Sequence, residues 1–184
     1  MSKIKGSNIV NRQAYVTERF GAGAWQRVLE ALGAEDAAAL SPRILASAWY
    51  SFETYNRVDA TICKLFGNGS PGLCREMGGD SARRALSGTY RVYLKDGPAA
   101  LLRRLAVLHR TFYDSGSMEV TAVGEGHCVV RTVYAPRSTR TNCLVAQGFY
   151  RMVVEMCGGK NVQVSEATCS ADGAPLCLVN IRWC

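Results

Sequence analysis

The sequence predicts an α+β fold, with helices packed on one side of an antiparallel sheet of about four strands. Two observations predict it. Apolar residues recur every three or four positions through roughly the first 115 residues, and from Ser117 the pattern changes to short runs that alternate every second residue. A third observation bounds the size: 184 residues, 48% hydrophobic and 20% charged, suffice for one well-buried core. Residues 1–184 therefore read as a single domain, with a mainly helical part at 1–115 and a sheet part at 116–184.

In chain order, Ser7 or Asn8 can cap a helix running to about Phe20. Trp25, Val28, Leu29 and Leu32 keep helical spacing up to Gly33, a stop signal. The segment SAWYSFETYNRVDATICKLFG places Trp49, Phe52, Tyr55, Val58, Ile62 and Phe66 on one helical stripe and predicts a core helix ended by Gly67. GNGSPG reads as a loop and SARRALSGTYRVYL as a further helix. Gly97-Pro98 opens a helix with Leu101, Leu105, Leu108 and Phe112 on one face. SMEVTAV and HCVVRTVY, joined by GEG, predict a hairpin that Pro136 ends. A helix over about 141–157 follows, closed by Gly158-Gly159, and NVQVSE and LCLVNIRW are the last strands. Cys177, Val179, Ile181 and Trp183 share one face there.

Composition excludes several functions. No run approaches the roughly 18 apolar residues of a spanning helix, and the basic start MSKIKGSNIVNRQ has no apolar stretch behind it, so a cytoplasmic location is expected. The net charge of +7 gathers at Arg103, Arg104 and Arg110 and at Arg131, Arg137 and Arg140. Asp114, Glu119 and Glu125 interrupt it, and no aromatic-and-basic or helix-turn-helix signature accompanies it. This pattern reads as a solvated face rather than a nucleic-acid surface.

Cysteine carries the one specific signal. In a reducing compartment eight cysteines lean toward metal binding where clustered and toward burial where scattered. Cys169 ends one strand and Cys177 begins the next, so SADGAPL brings both sulfurs to one end of a hairpin. Glu166 lies three residues before Cys169, and Cys143 starts the preceding helix. Three thiolates and a carboxylate suit a closed, structural tetrahedral zinc site; the plain alternative is three buried cysteines and a surface glutamate. Cys63, Cys74, Cys128, Cys157 and Cys184 fall to burial or to no role.

The segment CLVAQGFYRMVVEMCGGKNVQVSEATCSADGAPLC resembles the 4-vinyl-reductase domain family, with Cys143, Gly148, Gly159, Glu166, Cys169 and Cys177 at the positions of that family's pattern. The resemblance implies structural zinc on Cys143, Glu166, Cys169 and Cys177. More weakly, the whole chain is similar to stand-alone myxobacterial-type proteins related to the heme-NO-binding and TRAPP-like fold group. That relation implies a module that often dimerises and often encloses an apolar pocket. The expectation is thus a non-enzymatic regulatory or sensor domain for an apolar small molecule, acting through a homodimer or a signalling partner, with Trp49, Phe52, Phe112 and Tyr113 as candidate pocket residues.

Two alternatives stand beside it. One is a heme-based gas sensor through His109, placed late in a helix where the heme-NO-binding family keeps its iron-ligating His. That family's Tyr-x-Ser-x-Arg run, however, is met here by Tyr134, Pro136 and Ser138. The other is a dimeric TRAPP-like scaffold without ligand. Catalysis has the least support, because no Gly-rich nucleotide turn and no nucleophile–base pair is recognisable.

Overall fold

The short strand β1, Lys3–Lys5, leads directly into α1, Gly6–Phe20, in a structure (a computed structural model) that describes residues 2–184. Then come α2, Ala24–Ala31, and α3, Ala34–Leu40. The helix expected to include Trp49 starts later. Trp49–Ser51 forms a strand, β2, pairing antiparallel with β1 in the register Ile4↔Tyr50. Helix α4, Phe52–Gly67, begins only where the Ser51 hydroxyl accepts the Thr54 amide at 3.3 Å. Pairing with a strand 46 residues upstream is a nonlocal contact, invisible to a periodicity argument.

Two further boundaries move for local reasons. Ser70 caps and Pro71 opens α5, Pro71–Ser87, about ten residues before the expected start. At Gly88 the α-helix ends, and Thr89–Asp96 continues as 3-10 turns. Gly33 does close the second helical stripe, but it also leads into α3. That helix is pinned by Asp36, which accepts bonds from Thr54 of α4 (2.6 Å) and from Arg57.

The remainder follows the periodicity closely: α6, Pro98–Phe112; β3, Ser117–Gly124; β4, His127–Val133; α7, Arg140–Met156; β5, Gln163–Thr168; and β6, Cys177–Arg182. The last four strands form one antiparallel sheet in the order β3-β4-β6-β5. In β4 and β6 alternate residues are buried, Cys128, Val130 and Thr132 on one strand and Cys177, Val179 and Ile181 on the other. The period of two thus turns one face toward the helices. Trp183 lies just past the strand and is half-buried.

The interior has two large apolar clusters. One gathers Ile9, Val16, Trp25, Val28, Phe52, Val58 and Ile62 from the helical part; the other gathers Leu101, Leu102, Val130, Val153, Val179 and Ile181. Helix α7 contributes Leu144 and Val145 to the first and Tyr150, Val153 and Val154 to the second. Between these parts lies a cavity. No helix among the described residues is long and apolar enough to cross a membrane.

Candidate functional site

The cavity measures about 340 Å³ and is bounded by α1, α4, α5, α6, α7 and the sheet. Its apolar wall includes Leu105, Phe112, Met118, Val145 and Phe149, so a ligand here exchanges water for hydrocarbon and aromatic contact. His109 occupies the last turn of α6 and is only 8% exposed. Its ring stacks on Tyr113 with centroids 4.7 Å apart and planes 12° from parallel. Its Nδ1 is buried without a hydrogen-bond partner. Burial, with the Arg110 charge second, holds the imidazole pKa below its ordinary value. The neutral ring this favours at pH 7 is the ligand form for a metal.

That depression has a measurable consequence. Unfolded His109 takes up a proton more readily than folded His109, so the unfolded state gains protons as pH falls through about 6.5 and stability is lost below that point. Urea midpoints measured from about pH 7.5 to about pH 5.5 are expected to drop more in the native sequence than in His109→Gln. Equal drops in the two would show that His109 carries no part of the pH dependence.

Arg12 of α1 also lines the cavity and is 1% exposed. Its Nε donates to Asp59 Oδ1 at 2.5 Å and its Nη2 to Tyr55 Oη at 2.5 Å, both acceptors on α4. Sequence reasoning did not name these residues as part of a site. The signal was nevertheless present: Arg12 falls between Ile9 and Val16 on the buried stripe of α1, and Asp59 follows Val58 on that of α4. A charge at a core position requires a partner.

Of the four aromatic residues expected to line a pocket, Phe112 and Tyr113 do face this cavity. Tyr113 is half-buried, and desolvation of its phenol pushes the pKa up to about 12 and keeps it neutral. Phe52 and Trp49 lie outside the cavity lining. Phe52 packs behind the wall, stacked on Tyr134 with centroids 6.1 Å apart. Trp49 is 40% exposed on β2, with the Lys5 ammonium 4.1 Å over its ring, because strand pairing turns it outward. Tyr134 lines the cavity, whereas Ser138 is spent donating to Asn142 Oδ1 at 2.7 Å beside the start of α7.

Cys143, Glu166, Cys169 and Cys177 also converge. One potential ligand atom from each lies within 4.8 Å of the others, at the junction of the α7 N-terminus with the β5–β6 connection. The Cys143 sulfur is 3.5 Å from that of Cys169 and 3.7 Å from that of Cys177. Ser170 donates to Cys177 through its amide at 3.3 Å, and Arg140 pairs with Glu166. Contact with the Cys143 thiol, helped by Ser170, draws the Cys177 pKa down to about 6. Glu166 Oε1 is left buried and unpartnered.

With this geometry established, the fold can be placed: it is that of the heme-NO-binding (H-NOX) group of domains. Among solved structures, an H-NOX protein from S. oneidensis in its Fe(II)NO ligation state superposes with a TM-score of 0.78 at 16% identity, covering 98% of this chain and 99% of that one. An oxygen-binding H-NOX domain related to soluble guanylate cyclases, in its oxygen complex, gives 0.71 at 13% identity over 98% and 95%. A structure probing heme distortion in the H-NOX family gives 0.74 at 14% over 98% and 95%. No protein-family model and no curated protein matches the sequence.

These neighbours support the heme-NO-binding side of the expected fold group; its 4-vinyl-reductase and TRAPP sides are not shown. They also correct the cofactor expectation. Zinc was read from the four clustered ligands, but the fold found is that of heme-family domains. The thiols, moreover, already contact one another and Ser170, and Glu166 is paired with Arg140, so their proximity does not require an ion.

Proposed function

We propose that this chain is a non-catalytic sensor domain that binds heme in the cavity, with His109 as the protein ligand to iron. The observation that carries the reading is His109 itself, a buried, neutral imidazole with an unpartnered ring nitrogen on the wall of an apolar cavity between the helices and the sheet. Such a nitrogen costs free energy unless something occupies it. The apolar lining from Phe112, Met118 and Phe149 suits a planar macrocycle and excludes water from its faces. Bound heme would supply an iron with an open position for a small ligand. The NO and oxygen complexes of the structural neighbours make a diatomic gas the matching ligand class.

The heme carboxylates meet a different arrangement from the Tyr-x-Ser-x-Arg run, because Pro136 and Ser138 stand in it. Arg12 and Arg84 are the cations on the cavity wall, and both are already paired, Arg12 with Asp59 and Arg84 with Asp80 and Glu18. Heme carboxylates would therefore have to compete for them, and His109 and apolar contact would be the main hold on the heme. Output passes through a partner protein or a second copy of the chain.

The test is reconstitution of the purified protein with hemin. A stoichiometric Soret band is expected in the native sequence, with His109→Ala weakening binding on the order of tenfold or more, equivalent to about 1.4 kcal/mol or more. Added imidazole should restore the ligation spectrum in that variant. Absence of a Soret band in the native protein, or an identical spectrum in His109→Ala, would sink the assignment.

A further inference from the structure

Away from the cavity, the Cys63 sulfur on α4 and the Cys74 sulfur on α5 lie 2.6 Å apart. They belong to different helices, joined by the turn at Asn68 and Gly69, and both line a surface cleft of about 600 Å³. Each residue is almost entirely buried, 4% exposed for Cys63 and 2% for Cys74, so the cleft is their approach to solvent. Three cations from three helices line it as well: Lys64, Arg75 and Arg140. Cys74 stands in the opening turns of α5, where unpaired amides place partial positive charge. Cys63 sits near the end of α4 and lacks that advantage.

The two thiols are thereby made unequal. A hydrogen bond from Cys63 lowers the Cys74 pKa, opposed by burial and by Asp59 and assisted by Arg75, while the same contact and burial keep Cys63 protonated. One contact runs the other way: Cys74 Sγ lies 3.6 Å from the Ser70 carbonyl oxygen, which favours its thiol form. The charges about Cys74 and the donor at Cys63 outweigh it. A thiolate-prone sulfur in contact with a protonated one, on a cation-lined cleft, is the arrangement of an attacking and a resolving cysteine.

We propose that Cys63 and Cys74 form a hydroperoxide-reactive dithiol, in which Cys74 is the attacking sulfur and Cys63 resolves it to a disulfide. The Cys74 thiolate attacks one oxygen of the hydroperoxide and the O–O bond breaks. The departing hydroxide takes up the proton the thiol released, leaving as water, and Cys74 becomes a sulfenic acid. The Cys63 thiol then attacks that sulfur, the S–O bond breaks, and a second water carries away the hydroxyl with the Cys63 proton. Two thiols lose two electrons and two protons to one hydrogen peroxide. The bond ties α4 to α5 across the turn between them, and a thiol reductant reverses it.

Hydrogen peroxide is the probe, and the readout is peptide mapping after alkylation without reductant. In the native sequence, loss of both alkylatable thiols and appearance of a Cys63–Cys74 disulfide peptide are expected. In Cys63→Ser, Cys74 should accumulate as a sulfenic acid captured by dimedone; in Cys74→Ser, Cys63 should remain an unmodified thiol. Mapping also separates this pair from Cys143, Cys169 and Cys177. If peroxide oxidises those three while Cys63 and Cys74 stay alkylatable, the dithiol is refuted. If dimedone labels Cys63 in Cys74→Ser and not Cys74 in Cys63→Ser, the assignment of roles is overturned. The native-sequence arm stands even where a serine variant fails to fold.

Discussion

Asp59→Ala is expected to lose about 3–5 kcal/mol of stability, the loss typical when a buried charge is deprived of its partner. Spread over a domain of this size, that lowers Tm by roughly 6–20 °C. Arg12 is 1% exposed and Asp59 fully buried, and besides two bonds to Asp59 the guanidinium donates to Tyr55 of α4 and Ser81 of α5. Removing the carboxylate leaves a buried guanidinium without its counter-charge. Burial by itself lowers the Arg12 pKa, and in the native protein Asp59 and Tyr55 outweigh it; without Asp59 the intrinsic basicity of the guanidinium still keeps it charged. The double variant Arg12→Met with Asp59→Leu should recover most of the loss, because apolar groups of similar volume avoid the desolvation of both ions. Thermal unfolding by circular dichroism checks both. A double variant as unstable as Asp59→Ala would show that the polar network, not the stranded charge, is what matters.

Gly148→Ala is the second large effect, and two physical terms oppose each other there. Alanine is the better helix former by about 1 kcal/mol in a helix interior. A Cβ at Gly148, however, would sit 1.9 Å from the Arg75 carbonyl oxygen of α5, and one at Gly78 would sit 1.9 Å from the Val145 carbonyl oxygen of α7. These neighbours are backbone and cannot swing aside, so α5 and α7 must separate along their crossing, at about 1–3 kcal/mol for the overpacking alone. The clash decides the sign. Gly79→Ala is the control: its Cβ meets the flexible Met152 side chain at 3.6 Å, so it should be neutral or stabilising by up to about 1 kcal/mol. Since α7 also carries Val145 and Phe149 of the cavity wall, Gly148→Ala should weaken hemin binding too, whereas Gly79→Ala should not. Comparable melting temperatures for the two variants would contradict this account of the crossing.

Much of this was written locally in the chain. The stripe Leu101, Leu105 and Phe112 fixed α6, and the alternation of Cys128, Val130 and Thr132 fixed an inward face of β4, because both patterns report a repeat that the backbone itself imposes. The convergence of Cys143, Glu166, Cys169 and Cys177 was equally legible, since a short turn between two strands dictates that their adjoining ends meet. Trp49 was misread for the complementary reason. Its helical spacing was real, but pairing of β2 with β1 took precedence, and that partner is distant in sequence.

The sequence by itself determined the α+β class and most element boundaries in the second half, which depend on residues within one or two turns of one another, and it brought Cys169 and Cys177 to one hairpin, where Cys143 joins them across 34 residues. Only the tertiary structure decided what those elements enclose. A cavity exists where α1, α4, α5, α6, α7 and the sheet fail to fill the space between them, and no local pattern records that sum. The same packing leaves His109 without a partner, gives Arg12 its counter-ion, and sets Cys63 against Cys74 on a cation-lined cleft. Desolvation and contact between distant segments, rather than residue type, turn these from ordinary core residues into candidates for chemistry.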